Sequence, residues 1–236
     1  MSIKIIRCVD VETTSIKEPP ESGVCEIGWW DVVMEQDGDT WSPCIGDGGN
    51  TPIDSGLPIE PEARAVHHIT DADIEGAPRL GGVLDRISDG VDFFAAHSSA
   101  FERKFLGDLF GDKPVICTLK AARRVWPDAP AHGLQVLRYW RGYTEAASPA
   151  HRAGPDAYIN AVLLADLINS GASVSDMVAW EQQPSLLPGL IRFGKHKGIA
   201  WSEAPADYLD WLANKSDMDE DTKFTASHWL RESGTC

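Results

Sequence analysis

Two acids close the first apolar run of the chain, Ile5-Ile6-Arg7-Cys8-Val9-Asp10-Val11-Glu12. Side chains alternate along a strand, so Asp10 and Glu12 face the same way, about 6–7 Å apart. Two carboxylates at the end of a buried strand resist leaving water unless positive charge sits between them. A divalent cation is the natural occupant, since Mg²⁺ takes one or two carboxylates together with substrate phosphate. Acids at a strand end are also common on ordinary surfaces, so such a site needs further carboxylates from elsewhere. Two places offer them. In Ala96-His97-Ser98-Ser99-Ala100-Phe101-Glu102 a strand ends, a helix starts and an acid falls in its first turn. In His151-Arg152-Ala153-Gly154-Pro155-Asp156 the proline marks a helix start at about Pro155, again with an acid in the first turn. The Gly-Pro break lets the preceding loop curl so that His151 leans over the same site. A histidine there titrates near neutral pH and can serve as a general base. Taken singly, Glu102 and Asp156 could equally favour their helix N-termini.

The elements that position these groups follow from pattern. Residues 3–12 read as a strand, Gly23 to Val33 as a second after the turn residues Pro19, Pro20 and Ser22, and a third falls within 40–54. Asp37-Gly38 is a hairpin signal between the last two. Pro61-Glu62-Ala63 opens a short helix carrying His67 and His68, and Thr70 to Asp73 looks like a cap and a further turn. A helix is expected over 79–89. A short strand from Val91 to Ala96 leads into a helix from Ser99 to Phe110, with Phe101, Phe105 and Leu109 on its apolar face. Val115 to Cys117 is a strand, and Thr118 is expected to cap a helix through Trp126. Helices over 133–141 and from Pro155 to about 170 follow. Strands first, then strands alternating with helices, make a mixed α/β sheet flanked by helices. The stretch 173–189 reads as a linker with room for a short helix. Residues 190–236 read as a small appended module: a strand near Leu190–Phe193, a basic turn, and helices near 205–214 and 219–232. The module is too small to bury a large core alone, so it is expected to dock on the main domain.

Composition narrows the classes. The net charge of −15 argues against a broad basic surface that wraps nucleic acid, but not against an enzyme that grips a polyanion locally. The five cysteines, Cys8, Cys25, Cys44, Cys117 and Cys236, form no C-x-x-C pair, so neither a disulfide framework nor a structural zinc site is expected. No apolar run approaches a membrane span and no signal-peptide pattern opens the chain, so a cytoplasmic location without a membrane partner is expected.

Asp10-Val11-Glu12-Thr13, His97 to Glu102, and His151-x4-Asp156 together resemble the three sequence blocks of the DEDDh 3′–5′ exonuclease family. The likeness extends to the bacterial exonuclease X group through Ala65 to Thr70, Ile116 to Pro127, Phe193 to Gly198, and Tyr208-Leu209 with Trp211-Leu212. It implies an α/β fold with an RNase H-like mixed five-stranded sheet over 1–172, then the linker and an exonuclease X-like module over 190–236. It implies a two-metal-ion phosphodiester hydrolase using Mg²⁺, with Mn²⁺ able to substitute. Asp10, Glu12, Glu102 and Asp156 would hold the ions and His151 would deprotonate water. Thr13, Thr14, Ile16, His97, Ser98 and Phe101 fall where the family takes substrate. The implied partner is DNA, as single strands and 3′ ends. An RNA-trimming activity on the same fold stays open, because fold and metal site do not choose the sugar. Two departures stand out. Ser98 replaces the family's usual asparagine and Glu102 its usual aspartate, so a smaller neighbour accompanies a longer acid; a weakly active or purely binding protein is the reading these departures leave open. The turn with Arg192, Lys195, His196 and Lys197, near Trp201 and Trp211, is expected to aid substrate engagement.

Overall fold

A computed structural model describes residues 3–37, 40–143 and 150–234. Its sheet has five strands in the order β3-β2-β1-β4-β5. These are β1 (Ile3–Thr13), β2 (Val24–Asp37), β3 (Thr40–Pro52), β4 (Phe93–Ala96) and β5 (Val115–Cys117). The first three form an antiparallel meander, whereas β4 and β5 run parallel to β1. The sheet is therefore mixed, as the order of strand and helix patterns predicts. Asp37 pairs with Thr40 across the β2–β3 connection. The Gly38 of the hairpin signal, like Cys236, lies outside the described residues.

The short elements between β3 and β5 are α1 (Pro61–His67), α2 (Asp71–Ile74), a 3-10 turn at Leu80–Gly82, α3 (Leu84–Ser88) and α4 (Ser99–Phe110). The single helix expected over 79–89 is thus broken, with Gly81 and Gly82, both poor helix formers, at the break. His68 adopts φ 62° and ends α1. After β5 come α5 (Thr118–Val125), α6 (Leu134–Arg141), α7 (Ala153–Asn169) and α8 (Val174–Glu181). The stretch 173–189 holds α8, whose Met177 is buried in the main core. The module has a 3-10 turn at Trp201–Glu203, α9 (Ala206–Asn214) and α10 (Glu220–Ser233). Its basic turn is pinned by a single bridge, Leu190 to Ala200, rather than a strand. It has its own small core of Ile191, Trp201, Leu209 and Leu212, and it docks through Asp221, which pairs with Arg123 at 2.6 Å. No single helix among the described residues is long and apolar enough to cross a membrane.

Alternation along β1 explains the two faces of the core. Ile6 and Cys8 pack with Ala161, Leu164 and Leu167 of α7 on one face. Val9 and Val11 pack with Phe94, Leu106 and Phe110 on the other. Asp10 and Glu12 continue the α7-facing row, so the same face turns from apolar to acidic as the strand ends. Opposite Asp10 in register sits Gly28 of β2. A Cβ there would lie 2.1 Å from the carbonyl carbon and oxygen of Ala153 and 2.3 Å from the nitrogen of Gly154. Only glycine lets the N-terminus of α7 press onto the sheet at this level. Gly154 in turn sits against Asn50 of β3.

Three local expectations are corrected. α7 begins at Ala153, not at Pro155; Pro155 is its third residue, where its missing N–H is unpaired in any helix. Thr118 is the first residue of α5 rather than its cap, and its hydroxyl pairs with the side-chain amide of Asn160 of α7 at 2.6 Å. The buried face of α4 is Ser99, Glu102, Leu106, Leu109 and Phe110, so Leu109 alone of the expected stripe is buried, and Phe101 is 40% exposed. The acid occupies the place that apolar spacing assigned to a phenylalanine.

Because backbone blocks the space at Gly28, Gly28→Ala is expected to cost about 1–3 kcal/mol of folding stability, the usual range for overpacking. Urea denaturation of the two proteins measures it. An unchanged midpoint would show that α7 does not depend on this contact.

Candidate active site

Three elements converge at the carboxyl end of β1. β1 supplies Asp10 and Glu12, and α7 supplies Asp156 from its first turn. One carboxylate oxygen from each of these three residues lies within 4.8 Å of the others. α4 supplies Glu102, which is buried yet close enough that its charge, after burial, is the strongest influence on Asp10. The sequence reading expected these four acids together; the structure gathers Asp10, Glu12 and Asp156 and sets Glu102 outside that trio, near Asp10.

The electrostatics are those of crowded like charge. Burial, then Glu102, Glu12 and Asp156, push Asp10 well above the usual carboxylate range. Burial and the charges of Asp156 and Glu26 push Glu12 up to about 8, although Arg152 pulls the other way. Burial pushes Glu102 up to about 8. Burial also raises Asp156, against the restraint of the His151 backbone N–H and Gln135. Glu102 Oε2 is buried without a hydrogen-bond donor among the described residues. A buried, unpartnered carboxylate oxygen near other carboxylates fits a divalent cation: hard oxygen donors of net negative charge suit Mg²⁺ or Mn²⁺ and match neither the soft thiolate sets nor the imidazole sets of other metals.

His151 is where the Gly-Pro break was expected to put it. It is exposed, has φ 60°, a conformation in which histidine is enriched among non-glycine residues, and its backbone N–H donates to Asp156 Oδ2 at 3.0 Å. That bond curls the loop back over the acids. Its imidazole is near enough for its charge to lower Asp156. Gln135 of α6 holds the other oxygen of Asp156 at 2.6 Å.

The remaining candidates divide into two groups. Ile16 is 84% exposed and Phe101 40% exposed. A Lys104–Glu18 ion pair ties the loop of Ile16 to α4, the helix that carries Phe101. Thr13 and Ser98 are half-buried beside the acids. Thr14 and His97 instead face inward. The Thr14 hydroxyl accepts from the Gly23 N–H at 3.1 Å and closes the loop after β1. His97 Nε2 donates to the His132 carbonyl at 2.8 Å, while Nδ1 pairs with the Thr118 hydroxyl at 3.1 Å. With both ring nitrogens engaged and burial holding its pKa down to about 4, His97 is a neutral brace between β4, α5 and the 132 region.

Several participants have no motif of their own. Glu26 lies opposite Glu12 in register, a like-charged pair that is destabilising without a cation. Arg152 supplies it, with Nη2 at 2.5 Å and Nε at 3.0 Å from the Glu26 carboxylate. The Ala153 N–H and the Asn50 side chain complete the set at 2.9 and 2.8 Å. Burial pushes Glu26 up, but these partners carry it below its ordinary value. The strand alternation that pairs Asp10 with Glu12 also holds the hint of Glu26, once the β1–β2 register is known. His67, in the Ala65 to Thr70 stretch, donates from Nε2 to the Thr13 carbonyl at 3.2 Å and accepts the Ile69 N–H on Nδ1, fixing the end of β1.

The chain matches the family model described as Exonuclease over residues 8–164. It is 32% identical to "Exodeoxyribonuclease 10" of Escherichia coli strain K12 over 233 residues, 96% of this chain and 99% of that protein. A solved structure of exonuclease X in complex with 5′ overhanging duplex DNA is similar with a TM-score of 0.60 and 29% identity, covering 74% of this chain and 98% of that one. The nuclease domain of 3′hExo, a DEDDh family member bound to rAMP, shares the fold at a TM-score of 0.55 and 16% identity, covering 71% of this chain and 93% of that one.

The raised acids make a stability prediction with a definite sign. Glu12 and Glu102 titrate near 4.5 when unfolded and near 8 when folded. Between those values the folded chain holds more protons, so stability is present at low pH and is lost as pH rises through 8. Thermal midpoints measured in EDTA from pH 5 to 9 are expected to fall, less steeply for Glu102→Gln, and Mg²⁺ is expected to flatten the fall. Midpoints in EDTA that hold level or rise would contradict this electrostatic picture.

Proposed function

This chain belongs to the DEDDh 3′–5′ exonuclease family, and from that premise we propose that it degrades DNA from the 3′ end, using Mg²⁺ and accepting Mn²⁺, to nucleoside 5′-monophosphates in DNA repair. Exonucleases of this family depend on divalent metal ions. The observation that carries the proposal is the convergence of Asp10, Glu12 and Asp156 with the buried, unpaired carboxylate of Glu102. DNA is supported as substrate by the relatives, an exodeoxyribonuclease and an exonuclease seen with duplex DNA. The rAMP-bound neighbour is too distant to favour RNA. A cytoplasmic site of action belongs to the same proposal, and the free buried thiols of Cys8, Cys25 and Cys117 accord with it.

Asp10, Glu12, Asp156 and Glu102 would hold the metal. When bound, divalent cations polarise the scissile phosphate and lower the pKa of an attacking water. The protein's own groups do the rest. A ring nitrogen of His151 takes the proton of the water as its oxygen attacks phosphorus. The bond to the 3′-oxygen of the preceding nucleotide breaks, and that oxygen takes a proton from solvent to become the new hydroxyl. The bond from the His151 N–H to Asp156 keeps base and acid in one frame. Ile16 and Phe101 offer apolar faces to the terminal base and sugar, while Thr13 and Ser98 lie beside the acids. Thr14 and His97 shape the loop and the β4 end rather than touching the strand. On this reading Ser98, smaller than the family's asparagine, leaves room for the extra methylene of Glu102, and the departure leaves an active enzyme.

Hydrolysis of 5′-labelled DNA and RNA oligonucleotides in Mg²⁺ tests this. A ladder shortening from the 3′ end of DNA is expected. Asp10→Asn is expected to abolish it with the fold intact, and His151→Ala to slow it about 10²–10⁴-fold, the usual worth of a general base. Full activity of Asp10→Asn, freed of contaminating nuclease, would rule the site out. Degradation of RNA alone would assign the other substrate.

A further inference from the structure

The module beyond residue 190 plays no part in the chemistry above, yet it carries an ordered surface of a different kind. Its turn is closed by Ile191 N–H to the Ile199 carbonyl and Gly198 N–H to the Ile191 carbonyl, both at 2.8 Å. Gly194 and Gly198, at φ 64° and 93°, allow the tight reversal between them. A Cβ at Gly194 would also come within 2.8 Å of the Tyr208 hydroxyl, so glycine lets the turn seat on α9. The result is a row of three rings. His196 lies 4.5 Å from Tyr208, and Tyr208 is stacked on Trp211 at 5.9 Å with 24° between planes.

The row sits at the edge of the module's core, with Tyr208 half-buried against it, His196 half-buried and Trp211 at the open end. The module's core takes Leu209 and Leu212 of the same helix and encloses Trp201, which is 2% exposed, so that Trp201 is not part of this surface. Trp211 faces outward and is 46% exposed. Around the rings stand Arg192, Lys195 and Lys197, all exposed. Among the described residues none of the three has a side-chain hydrogen bond, ion pair or ring contact, whereas most cations elsewhere in the chain have one. The acids of α9 do not neutralise them. Asp210 is paired with Lys215, and Asp207 accepts the Tyr208 N–H at its helix start. Arg192 also lines a cleft of about 430 Å³ shared with Arg123 and His132 of the main domain. The His132 carbonyl is the one that holds His97 behind the active site.

We propose that the Arg192–Lys197 turn and the His196–Tyr208–Trp211 row form a second nucleic-acid site, which holds the unpaired strand of the substrate away from the active site. The proposal rests on the reading of this chain as a nuclease for its choice of partner. An exposed ring, Trp211, at the end of a row of rings with unpaired cations around it suits bases and phosphates of a single strand without regard to sequence. In a chain of net charge −15, such a local positive turn gives a polyanion a foothold that the rest of the surface denies it.

Fluorescence anisotropy of a labelled 20-nucleotide oligo-dT, in EDTA so that nothing is hydrolysed, tests the site on the full chain. Trp211→Ala is expected to weaken binding about tenfold, within the range for one stacked base. The double variant Lys195→Ala/Lys197→Ala is expected to weaken it and to reduce the salt slope by about 1.4, at about 0.7 per phosphate contact. Hydrolysis of a trinucleotide, too short to reach both sites, is expected to stay within about twofold of the parent. Binding by both variants equal to the parent's would overturn the proposal, as would an equal loss on the trinucleotide. If the parent hydrolyses nothing but binds the strand through Trp211, the nuclease reading fails and this site stands.

Discussion

Repulsion among Asp10, Glu12, Glu102 and Asp156 is the constraint on which this structure turns. Four carboxylates come together at the end of one strand, and each is pushed above its ordinary pKa by burial and, for Asp10 and Glu12, by its neighbours. Such a cluster would spread apart if its elements were free to move. Gly28 lets α7 press on the sheet, and the Glu26–Arg152 pair clamps the helix start to β2. His67 pins the end of β1 from the other side. The architecture around the acids holds them in place without neutralising them, which leaves that task to a cation.

The same constraint separates what the sequence made legible from what it did not. Asp10 and Glu12 were readable because strand alternation needs no tertiary knowledge. Asp156 and His151 were readable because a proline marks a helix start, even though the helix begins two residues earlier, at Ala153. The acid blocks gained weight from their order and spacing, which resemble a known family. The face of α4 was misread because apolar spacing ranks Phe101 above Glu102. Glu102 inverts that ranking, an acid buried beside other acids while the phenylalanine stays exposed. Glu26, Gly28 and Gln135 carry no local signal, since their roles exist only once β2, α6 and α7 meet. His97 belongs to the family block but braces the fold from behind, a distinction made by its hydrogen bonds rather than by its position in the motif.

The module divides the labour of the chain. The main domain gathers negative charge to hold cations, which leaves little there to attract a polyanion at a distance. The module gathers unpaired positive charge in one turn, beside the exposed ring of Trp211 on α9. Its docking through Arg123 and Asp221 sets that turn beside the cleft at His132. On the proposed reading, chemistry and strand retention fall to separate cores of one chain.

The central claim is that the four acids are held apart from neutralising partners so that divalent cations take that place. Titration of Mn²⁺ into the full chain at pH 8, with free Mn²⁺ followed by electron paramagnetic resonance, measures this directly. The account predicts binding by the parent that is at least about tenfold weaker in Asp10→Asn and weaker in Glu102→Gln, since each removes negative charge facing the ion. A parent that leaves all Mn²⁺ free, or an Asp10→Asn protein that binds as the parent does, would contradict it.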